Sequence, residues 1–359
     1  MTSVDFLAAF VTLFDAIGEG LVALALGFAS APTGIGFLVG AILVVALKSV
    51  VPVSFEVESL TVVSRLADRD WKTMAYIILL AGLTGALLGG LGIFGRIVSF
   101  IEGPILSGMM TGVGVILTFV AIDSCRKNKI IGGVSVVVAL LVFFVMHDNE
   151  NNLIYALLAS VIASIIVSRF VSFDPIIKEI QKERIRLIPF DGFSFLKNPK
   201  VIRGALALLA LRTGTSIAYS GIDSEMAGVS ANVDHTNIIA GISGAASALF
   251  GGAPVEPVIS ATAAAPHPEF SGALMMALMG VLLLLGLLPR LARFVPMASI
   301  AGFLFLLGAC IAIPDNMAGV LTDADSVSGP VTLVVTAATF DPFLGMICGV
   351  LMRFLIGIV

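Results

Sequence analysis

Five carboxylates stand inside apolar runs of this chain: Asp15 and Glu19, Glu56 and Glu58, and Glu256. A charge at the bilayer centre costs at least ~2.5–3.5 kcal/mol on insertion scales, so such groups usually line a cavity or a proton path. A single one is as readily half of an ion pair, and Arg212 and Lys48 are the intramembrane cations that offer a partner. Five on three segments, two of those segments broken, favour function. Asp223 and Glu225 lie near the end of a further span.

Spacing sorts these groups. Asp15 and Glu19 are four apart and share a helix face. Glu56 and Glu58 are two apart, so in a helix they point to nearly opposite sides and only one faces a given cavity, unless the backbone there is extended. Glu58 lies deeper past the break and is the chosen candidate, whereas the charge of Glu56 sits near a helix start, where the dipole favours it. Phe14, Phe55 and Tyr219 offer flat apolar surface to a ligand, although each is more often packing. Enzyme signatures are missing: there is no HExxH, no GxSxG and no Gly-rich loop ending in Lys-Ser/Thr. His147, His235 and His267 have no metal-like spacing, and Cys125, Cys310 and Cys348 read as small core residues. No cofactor or metal is expected.

The elements that must position these groups are membrane helices. The chain is 58% hydrophobic and 12% charged, with a mean hydropathy of +1.09, outside the range of an ordinary soluble domain. Nucleic-acid binding is excluded, because the one basic run reads as a cytoplasmic loop. The amino terminus has no basic n-region and reads as a mature first helix rather than a signal peptide. At ~20 residues per span, the reading is an all-α polytopic membrane protein of about fourteen segments. It divides into a first seven-segment repeat (1–170), a linker (171–202) and a second repeat (203–359). Within the linker, Pro175 to Leu187 has the pattern of an amphipathic helix on the membrane surface or of a plain connector.

Two half-helices, segments 3 and 10, break alike. Pro52-Val53-Ser54-Phe55-Glu56-Val57-Glu58-Ser59 and Pro254-Val255-Glu256-Pro257-Val258-Ile259-Ser260 each follow an apolar run, carry proline at the break and put carboxylates beside it. Interrupted segments in matching positions of two halves point to the binding site of a secondary transporter, near the bilayer midplane, with helix-start amides facing the ligand. Val255 and Glu256 therefore join the candidate lining. An odd number of spans per repeat inverts the second copy. With the amino terminus outside, sixteen of the twenty Lys and Arg residues fall on one face. Positive-inside then puts both termini outside and residues 171–202 in the cytoplasm.

These motifs resemble those of the nucleobase–cation symporters, the xanthine/uracil permease superfamily, and within it the AzgA-type guanine/hypoxanthine permeases. Leu13-Phe14-Asp15-Ala16-Ile17-Gly18-Glu19 is similar to the family's eighth-segment Phe-Asp-Thr-x-Gly. Pro52 to Ser59 is similar to its tenth-segment motif, and Ser216-Ile217-Ala218-Tyr219 to its first segment. The resemblance implies that the two halves stand in exchanged order. The alternative keeps the usual order, with Glu225-Met226-Ala227-Gly228 as the eighth-segment motif and Ser260 at the tenth-segment position. Ala16 in place of Thr, and the extra charges Glu19 and Glu56, depart from the family.

By that resemblance the protein is a bacterial inner-membrane permease, a homodimer working by an elevator-like movement. Its core is 1–95 plus 203–292, and its gate 96–170 plus 293–359. It carries a nucleobase, purine favoured, between the half-helix starts. Asp15 and Glu58 would accept from the base N–H groups, and Asp15, Glu58, Glu19 and Glu56 would couple transport to protons. The first rival is a SulP-like anion carrier, opposed by the excess acid at the site and by an end in apolar residues at Val359 where those carriers have a soluble domain. The second is a non-transporting membrane scaffold or receptor.

Overall fold

In the computed structural model, residues 2–101, 103–171, 187–188, 194–291, 296–321 and 327–356 are described. Apolar runs fold into helices here because a backbone in hydrocarbon must satisfy its own hydrogen bonds. In the first half these are α1 (Ser3–Ala25), α2 (Ser30–Ala46), α3 (Val57–Leu66), α4 (Trp71–Gly90), α5 (Ile93–Phe100), α6 (Gly103–Lys127), α7 (Lys129–Val145) and α8 (Asn152–Val167). The second half supplies α9 (Pro199–Ala227), α10 (Val233–Ala248), α11 (Pro268–Leu284), α12 (Leu288–Leu291), α13 (Ala301–Phe305), α14 (Ile313–Val320), α15 (Ser328–Thr339) and α16 (Pro342–Ile356). A π-helical stretch, Leu306–Ala312, joins α13 to α14.

Among the described residues, five continuous helical stretches are long and apolar enough to cross a membrane: Ser3–Ala25, Trp71–Gly90, Gly103–Lys127, Pro199–Ala227 and Ala298–Val320. Six more apolar helices are shorter, so a full fourteen-span count is not reproduced. The sequence reading also passed over α5 and α12. Both are too short to span and sit at the ends of longer helices, where hydropathy alone does not separate them. The amphipathic helix expected within 171–202 lies outside the described residues.

Polar residues mark the helix ends. Thr2 and Asp5 form a reciprocal capping box on α1, Asp70 caps α4 through the Thr73 amide at 3.0 Å, and Asn198 precedes Pro199 at the start of α9. These side chains satisfy the amides that a helix start leaves free. Gly228 ends α9 at φ +65°, where a side chain would be strained.

The same order of elements occurs twice: long helix, helix, two-residue strand, short helix, helix, short helix, then three apolar helical stretches. The copies interlock. α2 packs against α10 and α11, and α4 packs against α9 and α10. α1 lies on α11 and on the 3₁₀ turn Ala261–Ala264, while α9 lies on α3. Gly82 and Gly241 let α4 and α10 meet backbone to backbone, since a Cβ on Gly82 would stand 2.6 Å from the Gly241 carbonyl oxygen. α6 forms a second centre, packed by α13, α14 and α15.

Two apolar clusters follow from this packing. One gathers Phe37, Ile77, Ile78, Ile239, Met276 and Met279; the other gathers Ile105, Met109, Leu157, Phe303, Leu306 and Met346. α1 and α9 serve both: Leu13, Ile17 and Leu208 belong to the first, and Val11, Ile217 and Ile222 to the second. Around the outside, Leu87, Phe119, Leu141, Phe144 and Leu351 are exposed, the surface expected where lipid replaces water as solvent.

Candidate functional site

The two breaks meet. β1 (Val53–Ser54) and β2 (Glu256–Pro257) pair antiparallel, with Val53 opposite Pro257 and Ser54 opposite Glu256. The Val258 amide adds a bond to the Pro52 carbonyl at 3.3 Å. α2 has ended at Ala46 and α10 at Ala248, short of each proline; proline and its restricted predecessor then favour extended backbone, and two extended stretches buried in an apolar interior satisfy their polar groups by pairing. α3 leaves from β1. Its counterpart after β2 is only the turn Ala261–Ala264, capped by the Ser260 hydroxyl on the Thr262 amide. The second half-helix expected over segment 10 is thus a single 3₁₀ turn.

Glu56 is the N-cap of α3 in extended conformation, φ −137° and ψ 118°. It is buried and accepts a short hydrogen bond from the Ser59 hydroxyl. Extended backbone sends successive side chains to opposite sides. Glu58, in the first turn of α3, is exposed. Asp15, Glu19 and Phe14 on α1, and Tyr219 on α9, are half-buried. Glu19 is within electrostatic reach of Asp15, Glu58 and Glu56, and Tyr219 is within reach of Glu56, Glu58 and Glu19. Asp15, Glu19, Glu56, Glu58 and Tyr219 therefore gather where α1, α3 and α9 converge between the two clusters.

The remaining candidates are enclosed. Phe55 packs on Phe37 with ring centroids 5.0 Å apart, and both Phe55 and Val255 belong to the first cluster. Glu256 is fully buried in a pair with Arg212, Nε to Oε2 at 2.6 Å and Nη2 to Oε1 at 2.5 Å. Arg212 also donates to the Ala81 carbonyl at 3.3 Å. Lys48, the other cation considered, is exposed at φ 51° just beyond α2. Glu225 is exposed and accepts from the Asn316 amide at 3.0 Å. The sequence offered Arg212 a carboxylate partner without choosing among the five; the structure gives it Glu256.

Chemically, the gathered side chains exchange protons or bind cations far more readily than they bind an anion directly. Their counterweight is the amide-rich start of α3. No group of three or more His, Cys, Asp or Glu suited to a metal occurs among the described residues.

No protein-family model and no curated protein matches the sequence. Solved structures do. The transmembrane domain of the cyanobacterium bicarbonate transporter BicA matches with a TM-score of 0.58 at 18% identity, over 97% of this chain and 97% of that one. SLC26A9 matches at 13% identity and a TM-score of 0.49, over 96% of this chain, which spans 65% of the length of that protein. The fold is accordingly that of a multi-pass, all-α membrane transporter domain.

The likeness to BicA corrects the sequence-based resemblance. The nucleobase–cation symporter and AzgA assignment, the purine cargo, and the exchanged order of halves defined against that family all fall with it. The physical reason lies in what the motifs encode. A proline and small residues around it serve the extended backbone of two opposed chain breaks, whatever the cargo. Motifs of four to eight residues therefore reported the architecture and not the ligand.

Proposed function

We propose that this protein is a secondary transporter of a small anion that moves together with protons, by an elevator-like displacement of one helical body against another. The observation that carries the reading is the whole-chain fold likeness to the transmembrane domain of a bicarbonate transporter. The body moved is the core, 1–95 plus 203–292, centred on the first apolar cluster. Its frame is the gate, 96–170 plus 293–359, centred on the second. The doubled element order supports a seven-plus-seven inverted arrangement; the distribution of Lys and Arg supports both termini outside and residues 171–202 in the cytoplasm, and a homodimer through the gate is part of the same proposal.

The acid cluster fits this cargo only if its charge is cancelled. Asp15, Glu19, Glu56 and Glu58 in the ionised state would repel an anion from the start of α3. Protonated, they leave the α3 amides and the Tyr219 hydroxyl as donors. Proton loading is then a condition of anion binding, and the two are carried together by linkage. Phe14, packed against the first cluster, offers apolar surface on the same helix.

Purified protein in proteoliposomes, given an inward proton gradient, is expected to accumulate labelled bicarbonate or sulfate, and labelled guanine is expected to stay outside. Guanine uptake, or no uptake of any small anion with the gradient intact, would sink this reading; the latter is what a scaffold or receptor gives.

A further inference from the structure

One face of α9, a helix of the core, lies against the gate. Gly214, Ala218, Gly221 and Glu225 follow one another at steps of four, three and four residues and so share that face. A Cβ on Gly214 would strike the backbone of Phe343 at the start of α16, and one on Gly221 would stand 2.7 Å from Met110 Sδ on α6. Ala218 is wholly buried in the second cluster. Glycine, a methyl and a thioether give close approach without a directional bond.

Glu225 ends that face with a different chemistry. Its Oε2 accepts from Asn316 Nδ2 at 3.0 Å, and Asn316, on α14 of the gate, is 3% exposed. The same Nδ2 donates to the Ala312 carbonyl at 3.1 Å. Both partners are acceptors, which fixes the way the amide points. Ala312 closes the π-helical stretch Leu306–Ala312, and Pro314 follows in the first turn of α14. The helical bonding pattern changes register there, and Asn316 is bonded back to that point before it meets Glu225. Asp315, exposed, lies within electrostatic reach of Glu225. A second carboxylate repels, so the neutral amide is what holds Glu225.

We propose that the Glu225–Asn316 hydrogen bond is a latch between core and gate, which holds the core at the position seen in this structure and breaks each time the core moves. The latch rests on the elevator reading above. A slide of one helical turn, about 5.4 Å, is far more than a hydrogen bond tolerates. Glu225 and Asn316 are positioning residues: they bias where the core stands and leave the cargo site to the other end of the face. One hydrogen bond to a side chain that water also reaches is a small bias, enough to favour one position and weak enough to release.

The test is the distance between spin labels on Ser230→Cys of the core and Glu150→Cys of the gate, both exposed positions. It is measured in the full chain in lipid vesicles, with Cys125, Cys310 and Cys348 replaced by Ala. Two distances are expected, one of them that of this structure. Glu225→Ala and Asn316→Ala should each lower the ratio of that distance to the other by roughly threefold to tenfold, the worth of one hydrogen bond. The double variant should go no further than either single one, since both remove the same contact. Glu225→Gln, whose carbonyl still accepts from the Asn316 amide, should fall between wild type and Glu225→Ala. The melting temperature of Glu225→Ala should stay nearly unchanged, because the side chain is exposed. Should Asn316→Ala fail to fold, Glu225→Ala and Glu225→Gln carry the test. Two distances whose ratio ignores Glu225→Ala, or single effects that add in the double variant, overturn the latch and leave the elevator reading standing. One fixed distance in every protein overturns both.

Discussion

Arg212 and Glu256 face each other across the second break as a two-pronged ion pair, fully buried at 2.5 and 2.6 Å. The pair closes a contact between α9 and β2, and so holds β2 against β1. Removing one partner should cost roughly 3–5 kcal/mol, because the other charge stays in the interior uncompensated. Glu256→Gln and Arg212→Met should each lower the melting temperature sharply, and the double variant Arg212→Met/Glu256→Leu should recover most of it. A double variant as unstable as the worse single one would show that the pair has a further role in shaping the break.

The α4–α10 contact depends on two glycines rather than on side-chain interdigitation. A methyl on Gly82 would meet the Gly241 carbonyl oxygen, and one on Gly241 would meet the Gly82 carbonyl oxygen. Gly82→Ala and Gly241→Ala should each cost about 1–3 kcal/mol through overpacking. Gly90→Ala, with nothing within 4 Å of the added carbon, should be near neutral. Thermal denaturation of the three variants side by side checks this ordering.

Loss of Glu58 should separate function from folding. The side chain is exposed, so Glu58→Gln should leave the melting temperature nearly unchanged. Bicarbonate or sulfate uptake driven by a proton gradient should fall by at least about tenfold, the worth of ~1.4 kcal/mol. Asp15→Asn should do the same. Uptake in either variant that keeps its dependence on the proton gradient would remove that residue from the coupling set.

Outside the membrane, Asp70 sets a pH dependence with a definite sign. Burial pushes its carboxyl up, but hydrogen bonds from the Thr73 hydroxyl and amide and from the Lys72 amide outweigh that and hold it below 3.8. A group depressed in the folded state stabilises above its unfolded value and loses that contribution as pH falls through the folded one. Asp70→Ala should therefore cost about 1 kcal/mol at neutral pH. The difference from the wild type should shrink below pH 3.8, as the carboxyl takes up its proton. Denaturation of both proteins at pH 7 and at acid pH measures it.

Much of the helical layout was legible in the sequence. Apolar runs bounded by Thr2, Asp70, Asn128, Asn198 and Asn232 became helices capped by those residues, since in hydrocarbon a local apolar run has no other way to bond its backbone. The breaks at Pro52 and Pro254 were legible for a local reason: an apolar helix cannot run through a proline, which lacks the N–H and keeps its predecessor extended, although in a first turn, as at Pro199 and Pro268, proline begins one.

Tertiary structure alone decided what those breaks do. Val53 finds Pro257, Arg212 finds Glu256 and Asp223 finds Ser260, each across a stretch of chain whose length says nothing about the partner. In sequence each of these groups is one polar residue in an apolar run, open to several pairings. The choice among them was made when α1 and α9 settled between the two apolar clusters. The cargo was hidden at a deeper level, because short motifs around opposed breaks encode the backbone geometry those breaks need, and that geometry is compatible with more than one ligand.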